Sequence, residues 1–382
     1  MAVNVGLAHL SDTLFTTAIA VYSLALLSYC AEYAFGRRGR IARTATGVGA
    51  VPSRVPAVVG AGAAVPQPAE AGGLVGPMDV GGLVPSAEAG DRVQPADPGS
   101  AVAGPEGSGG APVATAGGPA GGGRPAQLAG RLAVLLTLLG AACHLGSILL
   151  RGFAVDRIPW GNMYEFTSAV GFVAVAVFCM VLIRQPRIRY LGMFVMLPVI
   201  LLMFLAGTVL YAKAAPLVPA LRSYWLAIHV TAAITATGTF LVSFVATVLY
   251  LIRERYDRLA AAGATTIRFP ASLGWRLPES GALDRVAYRT VAFGFPVWTF
   301  GIAAGAMWAE AAWGRYWGWD PKETWSFIAW VIYAGYLHAR ATAGWKGVRA
   351  AWLNLLGYGA MTFNFFVVNI VVAGLHSYAG LS

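Results

Sequence analysis

Long apolar runs, separated by arginine clusters and short polar turns, dominate the pattern of this chain. They fall at about residues 12–35, 128–150, 163–183, 190–211, 224–253, 290–311, 325–340 and 353–375. Runs of this kind read as helices crossing a hydrocarbon layer of ~30 Å. They are too long for the strands of a closed barrel, the one other structure that satisfies its backbone in lipid. The expected fold class is an all-α polytopic membrane protein, a bundle of about eight transmembrane helices.

Basic clusters set the expected orientation. Arg37, Arg38, Arg40 and Arg43 follow the first run, and Arg184, Arg187 and Arg189 the third. Arg253, Arg255 and Arg258 close the fifth, Arg268, Arg276, Arg285 and Arg289 occupy the polar loop after it, and Arg340 and Lys346 follow the seventh. Positive charge collects on the cytoplasmic side, so these alternating ends predict both termini on the outer face of the cell membrane. Residues 44–127 are Ala, Gly, Pro and Val with scattered acids, and no aromatic occurs between Phe35 and Phe153. Such a stretch cannot build a core and is expected to be a disordered cytoplasmic linker. It divides a first helix with its basic end, residues 1–43, from a domain of about seven helices, residues 128–382.

Composition agrees: 57% hydrophobic, 12% charged and a mean hydropathy of +0.64 exclude an ordinary soluble domain. The net charge of +10 does not point to nucleic acid, because the basic residues sit at the ends of apolar runs. Cys30, Cys143 and Cys179 lie inside such runs and form no CxxC pair, so thiol redox chemistry is not expected of this chain. The first run has no basic segment before it and is long enough to span, which predicts a retained helix rather than a cleaved signal.

The chemistry-bearing stretch is WGRYWGWDPKETW, residues 313–325, with Trp313, Trp317, Trp319 and Trp325. An aromatic belt at a helix end would explain indoles alone. Indoles also stack on flat π-systems, Gly314 and Gly318 let such a ligand approach the backbone, and Asp320, Lys322 and Glu323 add charge at one edge. A porphyrin has that shape and polarity. The string WGxxWxWDxKE followed by SFIAWVIYAGYLHAR resembles the tryptophan-rich "WWD" signature of haem-handling proteins for cytochrome c assembly. Its KETWS continuation is most similar to the CcsA (ResC) family of the System II cytochrome c synthase, with the resemblance running from about residue 128 to the C-terminus.

Five histidines occur, and four lie in or beside apolar runs, where an ionisable group is costly and usually functional. The arginine-derived topology brings His229, His376 and the tryptophan loop, residues 308–325 with Trp308, to one face. That predicts His229 and His376 as axial ligands of a haem beneath the loop. The resemblance implies the same pair, carried here by LAIHV and GLHSY. His338 lies about 20 Å below the outer surface at ~1.5 Å per residue, with Val331, Ala334 and Gly335 on its face; it predicts a second, inner haem position. The resemblance makes the histidine of YLHAR a haem ligand within the membrane whose mate comes from a partner subunit. His144 is a lesser candidate for that mate, because its expected depth differs, and helix packing would also explain it. Arg222, Arg315 and Lys322 are candidate partners of haem propionates. Asn369, seven residues before His376, would bond an imidazole or a propionate, or a neighbouring helix. The segment PWGNMYE, residues 159–165, resembles a PxxNMYE stretch of the same family, with Asn162 placed to cap a helix.

The resemblance implies that the chain binds haem b (iron protoporphyrin IX), presents it on the extracytoplasmic face and supports thioether attachment to the CxxCH cysteines of apocytochrome c. It also implies a CcsB (ResB)-like membrane subunit and a thioredoxin-like thiol reductant as partners. No side chain is expected to act as acid or base, since the work is positioning. Three other readings stand beside it: a System I haem-delivery subunit such as CcmC, a di-haem electron-transfer subunit, and a plain transporter or channel.

Overall fold

The computed structural model describes residues 3–35, 124–217, 221–342, 344–372 and 374. The expected linker lies outside the described residues except for 124–127, and so does His376. Among the described residues the regular elements are helical: α1 (Val5–Phe35), α2 (Arg124–Val155), α3 (Met163–Arg184), α4 (Gly192–Thr208), α5 (Tyr224–Ala261), α6 (Ser280–Trp313), α7 (Pro321–Ala341) and α8 (Val348–Thr362). A π-helical turn, Phe363–Val367, carries α8 on into Val368–Ile370.

Among the described residues seven helical stretches are long and apolar enough to cross a membrane, so the chain is an all-α polytopic membrane protein. The expected seventh span, α7, is not one of these seven, because Lys322, Glu323, His338 and Arg340 fall within it. Helix α2 begins at Arg124, four residues before the apolar run, and α6 begins at Ser280 rather than near 290. Both extensions are polar turns that hydropathy alone does not reveal.

Side-chain pairs fix the helix directions. Ser11 with Ser147 and Tyr29 with Thr137 set α1 antiparallel to α2. His144 with Ser168 and Arg151 with Glu165 do so for α2 and α3. His229 with Gly301 and Ser243 with Ala287 oppose α5 and α6, and Trp330 with Thr299 and Arg340 with Asp284 oppose α6 and α7. Ser326 with Asn364, and Tyr333 against Gly357, complete the alternation between α7 and α8. One end of the bundle thus gathers the start of α5, the end of α6, the start of α7 and the π-helical turn. Arg184, Arg253 and Arg340 sit toward the other end, where Arg340 forks onto both carboxylate oxygens of Asp284 at 2.6 and 2.9 Å.

Helix α5 is the hub: 83% of its apolar window is buried, against 28–50% for the other spans. One of its sides joins a core with α1, α3 and α4, and the other a core with α6, α7 and α8. In lipid the gain comes from close packing and interhelical hydrogen bonds rather than release of water. Phe240 of α5 and Tyr333 of α7 stack at 4.1 Å, both fully buried. Asn354 of α8 donates to Ser243 and Thr247 of α5 at 2.7 and 2.6 Å.

Candidate functional site

The site grows from one helix face. Trp298, Gly301, Gly305 and Trp308 recur along α6 at helical spacing and so line one side of it. That side meets α5 where His229 stands, five residues past the start of the helix at Tyr224, which Ser223 caps. A Cβ on Gly305 would lie 2.7 Å from His229 Nδ1, so only glycine lets the imidazole settle here. His229 Nδ1 lies 2.7 Å from the carbonyl of Gly301. A carbonyl only accepts, so Nδ1 carries the hydrogen and Nε2 carries the lone pair that a metal would take. The ring lies nearly parallel to that of the buried Trp308, 6.0 Å away at 13°.

Two cavities, of about 150 and 50 Å³, flank this histidine, and both are lined by His229, Trp298, Trp308, Lys322 and Ser326. The larger reaches across to Trp160 and Asn162 before α3, to Met163 and Phe166 in its first turn, and to Asn364, Phe365 and Asn369 beyond the end of α8. Phe166 and Phe365 stack at 4.7 Å along it, and Trp160 Nε1 donates to Thr231 Oγ1 at 3.0 Å at its rim. Its walls are apolar with a few aimed polar groups, the usual make-up of a ligand cavity. Two of those groups, Trp298 Nε1 and Asn364 Oδ1, are buried without a hydrogen-bond partner among the described residues. Buried donors and acceptors are rarely left so, and here a ligand's polar atoms would complete them.

The tryptophan loop closes this end. Gly314, at φ +71°, ends α6 with its N–H on the carbonyl of Glu310, and Asp320 starts α7 as its N-cap. Glu323 reaches back to the backbone N–H groups of Gly318 and Asp320 at 2.8 and 3.1 Å, completing a capping box, and pairs with Arg315 at 3.4 Å. The Arg315 guanidinium packs where a side chain on Gly318 would be. The indoles then divide. Trp313 packs edge-on to Trp308 at 4.8 Å and lines the smaller cavity with Trp317. Trp325 turns inward onto Phe363 at 4.1 Å, while Trp319 is 64% exposed at a left-handed φ of +57°. A bulky residue held in that region is strained and stays only where its surroundings impose it.

Of the other candidates, Lys322 points Nζ to the carbonyl of Asn364 at 3.3 Å, and Asn369 gives its amide back to Phe365 O at 2.6 Å. Arg222 is exposed, with Nε on the carbonyl of Leu217. Just before His376, a Cβ on Gly374 would fall 2.9 Å from Asp320 Oδ1, so the chain passes the start of α7 there. His338 is exposed near the far end of α7, beside Val331 and over Gly335, where an added Cβ would meet nothing within 4 Å. His144 is fully buried, with Nε2 3.0 Å from Ser168 Oγ and Nδ1 3.5 Å from the Tyr22 hydroxyl, boxed by Phe15, Tyr22 and Phe172. Both its nitrogens face hydroxyls, so the structure gives it helix packing.

Asn162 caps α3 as expected, accepting from Glu165 N at 2.9 Å. Glu165 is the anchor of that segment: it accepts from Gly161 N at 2.7 Å and pairs with Arg151 at 3.3 Å and Arg157 at 2.9 Å. Arg151 continues to Asp12 of α1 and to the carbonyl of Ala212. This buried network holds the loop that forms the far wall of the cavity. Sequence reasoning missed Trp298, Ser326 and Asn364. Trp298 was legible as the residue ten before Trp308 on one α6 face, and Ser326 as one turn after Lys322. Asn364 carried no such signal, because the π-helical turn resets the face it presents.

The sequence model of the family described as Cytochrome C assembly protein matches residues 160–376. The chain is similar to the cytochrome c biogenesis protein CcsA of Guillardia theta, 42% identical over 179 residues, which cover 44% of this chain and 59% of that one. It is similar to that of Pyropia yezoensis, 34% identical over 281 residues, 66% of this chain and 88% of that one. The CcsA protein of Gloeobacter violaceus is 34% identical over 284 residues, 62% of this chain and 83% of its own length.

Proposed function

This chain belongs to the cytochrome c assembly protein family and acts in cytochrome c biogenesis, handling haem at the membrane; from that premise we propose that it holds haem b at the tryptophan end and presents it for covalent attachment to apocytochrome c. The observation that carries the reading is His229. Its Nδ1 is tied to Gly301 O, its ring lies against Trp308, and it stands between two cavities whose lining includes an indole N–H and, in the larger, an amide oxygen that are unpartnered among the described residues. Haem is the substrate. Its iron takes His229 Nε2 on one side and His376 on the other, its apolar face meets Trp308, Trp313 and Trp317, and its vinyl edge is offered to two cysteine thiols. Each thiol adds S–H across a vinyl C=C, forming one C–S and one C–H bond with no net redox change. The acceptor's own histidine then replaces one axial ligand. The chain contributes position and dryness rather than an acid or base.

The proposed orientation follows the arginines, with both termini and the tryptophan end extracytoplasmic in the cell membrane. His338 serves an inner haem position whose second ligand comes from a CcsB (ResB)-like subunit, and its exposed setting supports a shared site. The buried Phe240–Tyr333 stack fills the interior between the two positions, so passage outward follows the lipid-facing side of α7. A thioredoxin-like reductant keeps the acceptor cysteines reduced. The test is a pyridine-haemochrome assay on the purified complex with His229→Ala, His376→Ala and His338→Ala. The outer pair is expected to remove one haem pool and His338→Ala another. Unchanged haem content in all three, with cytochrome c still matured, would sink the proposal.

A further inference from the structure

Three cations near the tryptophan end invite an anion, and the structure treats them differently. Arg315 is paired with Glu323, and Arg222 is exposed with its Nε on a backbone carbonyl. Lys322 lines both cavities beside His229, and none of the ion pairs among the described residues includes it. Among the described residues its Nζ has one hydrogen-bond acceptor, the neutral Asn364 carbonyl at 3.3 Å, and lies 5.6 Å from the Phe365 ring centre. It also sits in the first turn of α7, where the helix dipole disfavours a cation and favours an anion. The Asp320 carboxylate two residues earlier acts on this ammonium but forms no ion pair with it among the described residues, and a shielded ammonium left unpaired is costly unless a ligand supplies the partner.

Independently, Trp298 lines the same two cavities with a buried Nε1 that has no hydrogen-bond partner among the described residues. An ammonium and an indole N–H are both donors only, so what completes them is an acceptor that carries negative charge. The π-helical turn and Ser326 fix the arrangement: Asn364 Nδ2 donates to Ser326 Oγ at 2.9 Å, and Ser326 Oγ donates to Lys322 O at 2.7 Å. The lysine is held from both α7 and the end of α8.

We propose that Lys322 Nζ and Trp298 Nε1 together bind a carboxylate of the ligand in this cavity, which on the haem reading above is a propionate. A fatty-acid carboxylate from the bilayer offers the same chemistry, so the test separates the two. The full-length chain in nanodiscs of neutral phospholipid is titrated with haem b and with its dimethyl ester, followed by absorbance, with and without oleate. Lys322→Met is expected to weaken haem b binding by about tenfold or more, leaving the ester unchanged. Trp298→Phe shows a smaller loss of the same pattern, and Lys322→Arg restores part of the affinity. An equal effect of Lys322→Met on haem and ester, or none on either, overturns the pairing while leaving haem binding intact. So does oleate that competes with wild type and not with Lys322→Met while haem and ester bind alike. Wild type that binds neither porphyrin, with no change on His229→Ala, ends the haem reading itself.

Discussion

Replacing Gly305 by alanine adds one methyl at the point where α6 lets His229 in. The new Cβ would stand 2.7 Å from Nδ1 and 2.8 Å from Cε1 of the imidazole, closer than carbon tolerates, so the ring must move by several tenths of an ångström. Its bond to Gly301 O, now 2.7 Å, then lengthens or breaks. Overpacking costs about 1–3 kcal/mol, and alanine in place of helical glycine returns about 0.5–1 kcal/mol, so the fold survives with a net loss of roughly 0–2.5 kcal/mol. The ligand senses more. A lost orienting hydrogen bond worth about 0.5–1.5 kcal/mol and a misaimed Nε2 together weaken haem binding by roughly tenfold. Gly359→Ala is the control, since an added Cβ there meets nothing within 4 Å. The assay pairs thermal unfolding in detergent with haem titration and the absorption spectrum of the bound state. If Gly305→Ala binds haem with the wild-type isotherm and spectrum, the claim that this glycine aims His229 is refuted.

Glu323→Gln removes the carboxylate that holds Gly318 N, Asp320 N and Arg315; it is expected to cost about 1–2 kcal/mol and to speed proteolysis of the tryptophan loop. Glu165→Ala leaves Arg151 and Arg157 facing one another across a buried gap; a loss of about 3–5 kcal/mol should appear as a large fall in the unfolding midpoint, and wild-type stability would mean the network is not structural. His144→Leu should lower stability by about 1–3 kcal/mol with haem content unchanged. His338→Ala should do the reverse, because its exposed side chain contributes within about 0.5 kcal/mol to the fold; haem content and unfolding midpoint measured on both variants check the pair.

The sequence by itself determined the all-helical membrane fold, the alternation of helices and the end of the bundle where His229 and the tryptophan loop gather. Each rests on a one-dimensional signal: run length, arginines at alternate ends, and the local density of indoles around Trp317. His229 stood out in the sequence as an imidazole within an apolar run, and the structure lines two cavities with it; His144 carried the same signal and is hydrogen-bonded between helices instead. The DPKE start of α7 held a capping signal as well, with Asp320 and Glu323 three apart, and it is these caps that shape the loop. What only the tertiary structure decided is which side chains meet. It gave His144 to Ser168, turned Trp325 inward and Trp319 outward, paired Arg315 with Glu323, and set Trp298, Ser326, Lys322 and Asn364 around one cavity. Those outcomes depend on the rotation of each helix about its axis and on the π-helical turn at Phe363–Val367, which are set by packing between distant segments. A pattern along one chain does not encode them, because the contact that fixes each rotation lies on another helix.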